Sequence, residues 1–146
     1  MKKLVLVVTI MVSLSACLFS QEVGIRLGQI SGGNGALDVT LNTAKYNRIH
    51  ADLSFGSGLG ADVLWDLIYR PFISKQWRWY LGAGAYGKFS NPLWLGAVGE
   101  IGLEYRFRKA PLAMGFDWRP FFSIIQTTGL TAEGYGLNIR YVFGKR

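Results

Sequence analysis

The chain predicts an all-β fold, an eight-stranded antiparallel up-and-down transmembrane β-barrel with a filled polar lumen, on three observations. From Glu22 onward, apolar and polar residues alternate in eight successive segments. The stretches between them are short and rich in Gly, Asn, Ser and Pro, with no helical period. One face of nearly every segment gathers Leu, Ile, Trp, Tyr and Phe, while the other gathers Asp, Glu and Arg. A soluble sandwich or lipocalin-like barrel would also alternate. However, the chain is 50% apolar and carries five tryptophans, which suits lipid-facing staves better than the core of so small a domain. A closed sheet is also the only arrangement without helices that satisfies every backbone group in lipid.

The first 20 residues read as a secretory signal peptide: Lys2 and Lys3, an apolar run from Leu4 to Leu14, then small residues at Ser15 and Ala16. The run is too short to span a bilayer as a helix, which takes about 20 apolar residues. Two cleavage sites fit. One follows Ser20, leaving residues 21–146 as the barrel domain. The other precedes Cys17, because Leu14-Ser15-Ala16-Cys17 resembles a lipobox and would make Cys17 a site of lipidation. Cys17 is the sole cysteine, so no disulfide can form within the chain. The formal charge of +7 falls by two when Lys2 and Lys3 leave. The remaining bases are dispersed over turns and lumen rather than forming a stripe with exposed aromatics, so nucleic acid is not an expected partner.

The expected strands cover residues 22–30, 36–42, 48–56, 59–70, 77–87, 93–107, 112–122 and 134–143. In the first, Val23, Ile25 and Leu27 oppose Gly24, Arg26 and Gly28. In the third, Ile49, Ala51, Leu53 and Phe55 oppose His50, Asp52 and Ser54. The sixth sets Leu95, Ala97, Ile101, Leu103, Tyr105 and Phe107 against Glu100, Glu104 and Arg106. In the last, Tyr135, Leu137, Ile139, Tyr141 and Phe143 oppose Asn138 and Arg140. The polar face as a whole holds Arg26, Asp38, His50, Asp52, Asp62, Asp66, Arg70, Glu100, Glu104, Arg106, Asp117, Arg119 and Arg140. These residues are the expected lumen network.

Turns at 43–47, 71–76 and 108–111 would lie at one end, the periplasmic one if the mature N-terminus is there. Loops at 31–35, 56–58, 88–92 and 123–133 would lie at the other. Lys45, Arg48, Lys75, Arg78, Arg108, Lys109, Lys145 and Arg146 then form a basic rim, read as solvated turns attracted to phospholipid head groups. Tyr69, Phe72, Trp77, Trp79, Tyr105, Phe107, Tyr141 and Phe143 would make a lower aromatic girdle. Phe55, Trp94, Phe121, Phe122 and Tyr135 would make an upper one.

Residues 102–107 (Gly-Leu-Glu-Tyr-Arg-Phe), 116–120 (Phe-Asp-Trp-Arg-Pro) and the closing run from Gly134 to Phe143 carry a resemblance. The mature chain resembles the small eight-stranded outer-membrane barrels of Gram-negative bacteria, the class that includes the barrel domains of outer membrane proteins A and X. The resemblance implies integral placement in the outer membrane, among its lipid and lipopolysaccharide. It also implies a lumen plugged by acid–base pairs, and insertion by the barrel-assembly machinery, which would read Tyr141 and Phe143. The chain departs from that pattern where Gly144, Lys145 and Arg146 follow the terminal aromatic residue.

Enzymes of this general fold deacylate or acylate lipid A and phospholipid, which draws attention to His50, the only histidine. His50, Asp52 and Ser54 share a strand face, but at about 3.3 Å per residue the His and Ser lie about 13 Å apart, too far for a triad. Gly82-Ala83-Gly84-Ala85-Tyr86-Gly87 spells the dinucleotide fingerprint with no helix to follow. Its glycines read instead as making room inside the barrel beside Tyr80 and Tyr86. One histidine and no spaced ligand set predict no metal and no cofactor. The expected role is structural, in membrane integrity or as an accessory subunit with an envelope protein partner, and without catalysis. A lipid A or phospholipid acyl-modifying enzyme and a narrow small-solute pore are the alternatives.

Overall fold

The computed structural model describes residues 22–143. The expected signal peptide with its two expected cleavage sites, Cys17 and the three residues after Phe143 lie outside the described residues. Ten strands follow in order: β1 (Glu22–Ile30), β2 (Gly33–Ala44), β3 (Asn47–Gly56), β4 (Leu59–Pro71), β5 (Trp77–Phe89), β6 (Trp94–Arg106), β7 (Leu112–Trp118), β8 (Phe121–Ser123), β9 (Gly129–Thr131) and β10 (Tyr135–Val142). From β1 to β7 each strand pairs antiparallel with the next, β7 pairs with β10, and β10 returns to pair with β1 from Glu22↔Val142 to Gly28↔Gly136. The sheet therefore closes. β8 continues β7 alongside β6, and β9 leads into β10, so the ten strands make eight staves with no helix among the described residues.

The break in the seventh stave falls at Arg119 and Pro120, where proline has no N–H for the ladder. Backbone groups there pair irregularly: Arg119 N–H donates to Gly134 O at 2.5 Å, and Gly99 N–H donates to Pro120 O at 3.0 Å. The single expected strand at 112–122 is thus interrupted, the one at 134–143 is continuous as β10, and the expected loop at 123–133 contains β9. The second stave is longer than expected. It starts at Gly33, whose φ of +153° favours glycine, and the expected loop at 31–35 shrinks to Ser31 and Gly32.

Alternation dictates the packing. Arg26, Asp38, His50, Asp62, Glu100, Asp117 and Arg140 all face inward with next to no exposure, whereas Ile25, Leu27, Leu53, Val63, Trp65, Leu103, Leu137 and Ile139 face outward. Among the described residues, seventeen buried ones are polar or charged and nine are apolar, while thirty-two large apolar residues lie exposed. The barrel is inverted relative to a water-soluble one.

A bulge between Asp66 and Ile68 resets the phase of β4. Tyr69 turns inward to 3% exposure, and Arg70 turns outward over the Tyr46 ring. Two expectations are corrected here: Arg70 is not a lumen residue, and Tyr69 is not part of a girdle. Phe121 is likewise inside, at 7% exposure, because it follows the inward phase of Asp117 and Arg119. The aromatics that do gather outside at the end of the chain termini are Trp77 against Tyr105 (5.1 Å), Tyr105 against Phe107 (5.0 Å) and Tyr141 against Phe143 (4.8 Å). That end, with the hairpins after β2, β4 and β6, is the near mouth; the opposite end is the far mouth.

Candidate functional site

Eight of the nine acidic residues in the chain lie inside the barrel, the exception being exposed Glu133. Four arginines, Arg26, Arg48, Arg119 and Arg140, are fully buried among them. Charge removed from water at this density is tolerable only when paired and hydrogen-bonded, and the pairing decides the architecture.

Near the near mouth, Glu104 collects three guanidinium groups. Arg48 Nη1 donates to it at 2.9 Å, Arg106 Nε at 2.8 Å, and Arg140 through Nη2. Tyr69 O–H donates to the same carboxylate at 2.6 Å. Arg48 also donates to Asp66 at 2.5 Å and lies over the rings of Tyr69 and Tyr80, at 4.3 and 4.5 Å. Glu22 closes the floor by pairing with Arg106 and, at 3.1 Å, with Arg140.

Midway, both ring nitrogens of His50 face carboxylates: Nε2 lies 2.7 Å from Asp38 and Nδ1 3.1 Å from Glu100. Arg140 reaches Asp38 at 3.2 Å. Arg119 enters from the break in the seventh stave and crosses the lumen to donate to Glu100 at 2.9 Å and to Asp52. It also lies 3.7 Å from both Asp62 and Asp117. One guanidinium thus serves four carboxylates. Arg26 forks onto Asp117, which further accepts from Tyr80 O–H at 3.2 Å and Asn138 Nδ2 at 2.9 Å.

Toward the far mouth the character changes. Ser31 donates to Asp62 at 2.5 Å and lies 3.2 Å from Ser54, which accepts from Gly32 N–H at 2.9 Å. Tyr86 and Ser123 share a hydrogen bond of 2.6 Å, and Leu64, Tyr86, Val98 and Phe121 form a small apolar cluster. Above it opens a cavity of about 420 Å³, walled by Tyr86, Trp94 and Phe121 together with Ser31, Lys88 and Glu133.

The expected lumen residues other than Arg70 do meet here, with Arg106 half-exposed at the near mouth. Arg48, expected on the rim, is fully buried, and Arg78 is half-buried over Tyr69. Glu22, Thr40 and Tyr69 are interior groups that the sequence reading omitted. For Glu22 and Arg48 the signal was present, since each shares parity with an inward residue of its own strand. Room for the large tyrosines also comes from elsewhere than expected. A Cβ at Gly102 would collide with the Tyr80 ring and one at Gly96 with Tyr86, whereas Gly82 lies against Asp66 and Gly84 against the Val63 backbone.

Ser54 bonds to Ser31 and Gly32, and His50 bonds to Asp38 and Glu100, so the hydroxyl and imidazole have separate partners. The fold does bring together two ligand-type groups that linear spacing concealed, Asp38 with His50 and Asp52, and His50 with Asp66 and Glu100. Cationic charge is already supplied at both, because Arg119 Nη2 lies 3.1 Å from each ring nitrogen of His50 and Arg140 lies 3.4 Å from Nε2. No family model, curated protein or solved structure matches the chain.

Proposed function

We propose that the chain is an integral outer-membrane β-barrel that serves membrane integrity or acts as an accessory subunit beside an envelope protein, without chemistry of its own. The observation that carries this reading is the inversion of the barrel: ion pairs inside, and Leu, Ile, Val, Trp and Phe over the outer wall of every stave. Apolar patches beyond a few hundred Å² are rare on proteins that face water, and a continuous apolar belt suits hydrocarbon. The ladder closes around the barrel, which suits the same medium, and the unpaired edge it leaves is at short β9 in the far-mouth loop. Aromatic groups at the near mouth fit an interfacial girdle. A structural role is supported by the lumen, where the interior charges hold one another and His50 is enclosed at 0% exposure.

The test is gel mobility of the envelope fraction, unheated against boiled. Compact migration when cold and a shift on boiling is the expected result. Recovery in the soluble periplasm without a shift would sink the membrane reading.

A further inference from the structure

A second cavity, of about 410 Å³, opens at the near mouth between the β4–β5 and β6–β7 hairpins. Among the described residues, four cationic side chains line it, Lys75, Arg78, Arg106 and Arg108, and no carboxylate does. Arg106 is occupied by Glu22 and Glu104. Arg78 differs: its buried Nε has no hydrogen-bond partner, and its guanidinium rests 4.9 Å from the Tyr69 ring centroid. A guanidinium held at a cavity wall with a donor unused is a site for an anion with several acceptor oxygens, and phosphate matches its fork.

The cavity shares a wall residue, Phe107, with an apolar feature. On the outer wall, Trp77, Leu103, Tyr105, Met114 and Leu137 join Phe107 in lining a groove of about 430 Å³. A charged pocket at the barrel's end that meets an apolar trough running along its staves matches an amphiphile, with the anionic head in one and the chain in the other.

We infer that the near mouth binds an anionic phospholipid, its phosphate in the Lys75–Arg78–Arg106–Arg108 cavity and an acyl chain in the groove beyond Phe107. This site rests on the membrane reading above and names one lipid class that the barrel would hold specifically. It makes the basic rim a binding pocket rather than a diffuse cloud of charge. Phosphate from a soluble source would use the same cavity but leave the groove empty, and the experiment separates the two.

The barrel, with Trp65, Trp79, Trp94 and Trp118 replaced by Phe, is refolded into phosphatidylcholine vesicles containing a graded fraction of phosphatidylglycerol with brominated chains, and tryptophan quenching reports proximity to Trp77. Quenching that saturates well below the level for random mixing is expected. It should be abolished by 1 M salt, and in Lys75→Gln/Arg78→Gln about tenfold more brominated lipid should be needed. Lys75→Gln alone, in an exposed hairpin, gives the smaller loss if the double variant does not fold. An inserted, heat-modifiable barrel that is quenched no better than random mixing overturns the site and leaves the membrane reading standing. Failure of the unaltered chain to insert at all overturns both. Full displacement of the lipid by millimolar glycerol phosphate overturns the lipid assignment in favour of a soluble phosphate.

Discussion

The two halves of the lumen fill similar space by opposite means. Toward the near mouth, Glu22, Arg48, Asp66, Glu104, Arg106 and Arg140 join in one ionic lattice, tied down by Tyr69. Toward the far mouth, Leu64, Tyr86, Val98 and Phe121 pack as a small apolar cluster below an open cavity. The lattice is directional, and each member has a fixed partner across the barrel. The cluster is not, and its residues can be exchanged for others of like volume. Specificity of the fold is thus concentrated in the near half and in the one residue, Arg119, that spans the middle.

That contrast can be broken by substitution, and the largest effect is expected at Arg119. Arg119→Ala strands Asp52 without its cation, leaves Glu100 to His50 alone and weakens the field on Asp62 and Asp117. A loss of about 3–5 kcal/mol follows from breaking such buried pairs, read as a lower urea midpoint or disappearance of the compact unboiled band. Glu104→Gln comes next. It keeps the volume but removes the charge shared by Arg48, Arg106 and Arg140, and should lower stability by about 2–3 kcal/mol in the same titration. Phe121→Leu in the far cluster is the mildest, at about 1 kcal/mol, with the heat-dependent shift retained. If Phe121→Leu were as damaging as Glu104→Gln, the division between a specifying half and a permissive half would be wrong.

The closed eight-stave barrel was legible because side-chain period and turn residues agree along the chain. His50, Asp52 and Ser54 against Ile49, Ala51 and Leu53 is a pattern that only a half-buried strand explains. What escaped was whatever broke that period. The bulge at Asp66–Ile68 inserts one residue without a glycine or proline to mark it, and Arg70 and Tyr69 consequently exchange faces. Arg48 was misplaced because it stands next to a turn, where a base ordinarily meets water, although its parity with His50 pointed inward. The lumen pairs themselves lay beyond reach. Arg26 meets Asp117 across 91 residues of sequence and Arg140 meets Asp38 across 102, contacts set by barrel circumference and not by local spacing.

The seam where β10 meets β1 joins the two ends of the described chain, and several ion pairs straddle it. Arg26 on β1 holds Asp117 on β7, Glu22 on β1 holds Arg140 on β10, and Arg140 holds Asp38 on β2. Until the final strand docks, each of these charges faces an incomplete lumen with its counterpart absent. An open sheet bearing them would be a poor guest in hydrocarbon, and a closed one a good guest. On the proposed membrane reading, circularisation and entry into an apolar medium are coupled in this sequence, and the β10–β1 seam acts as a latch.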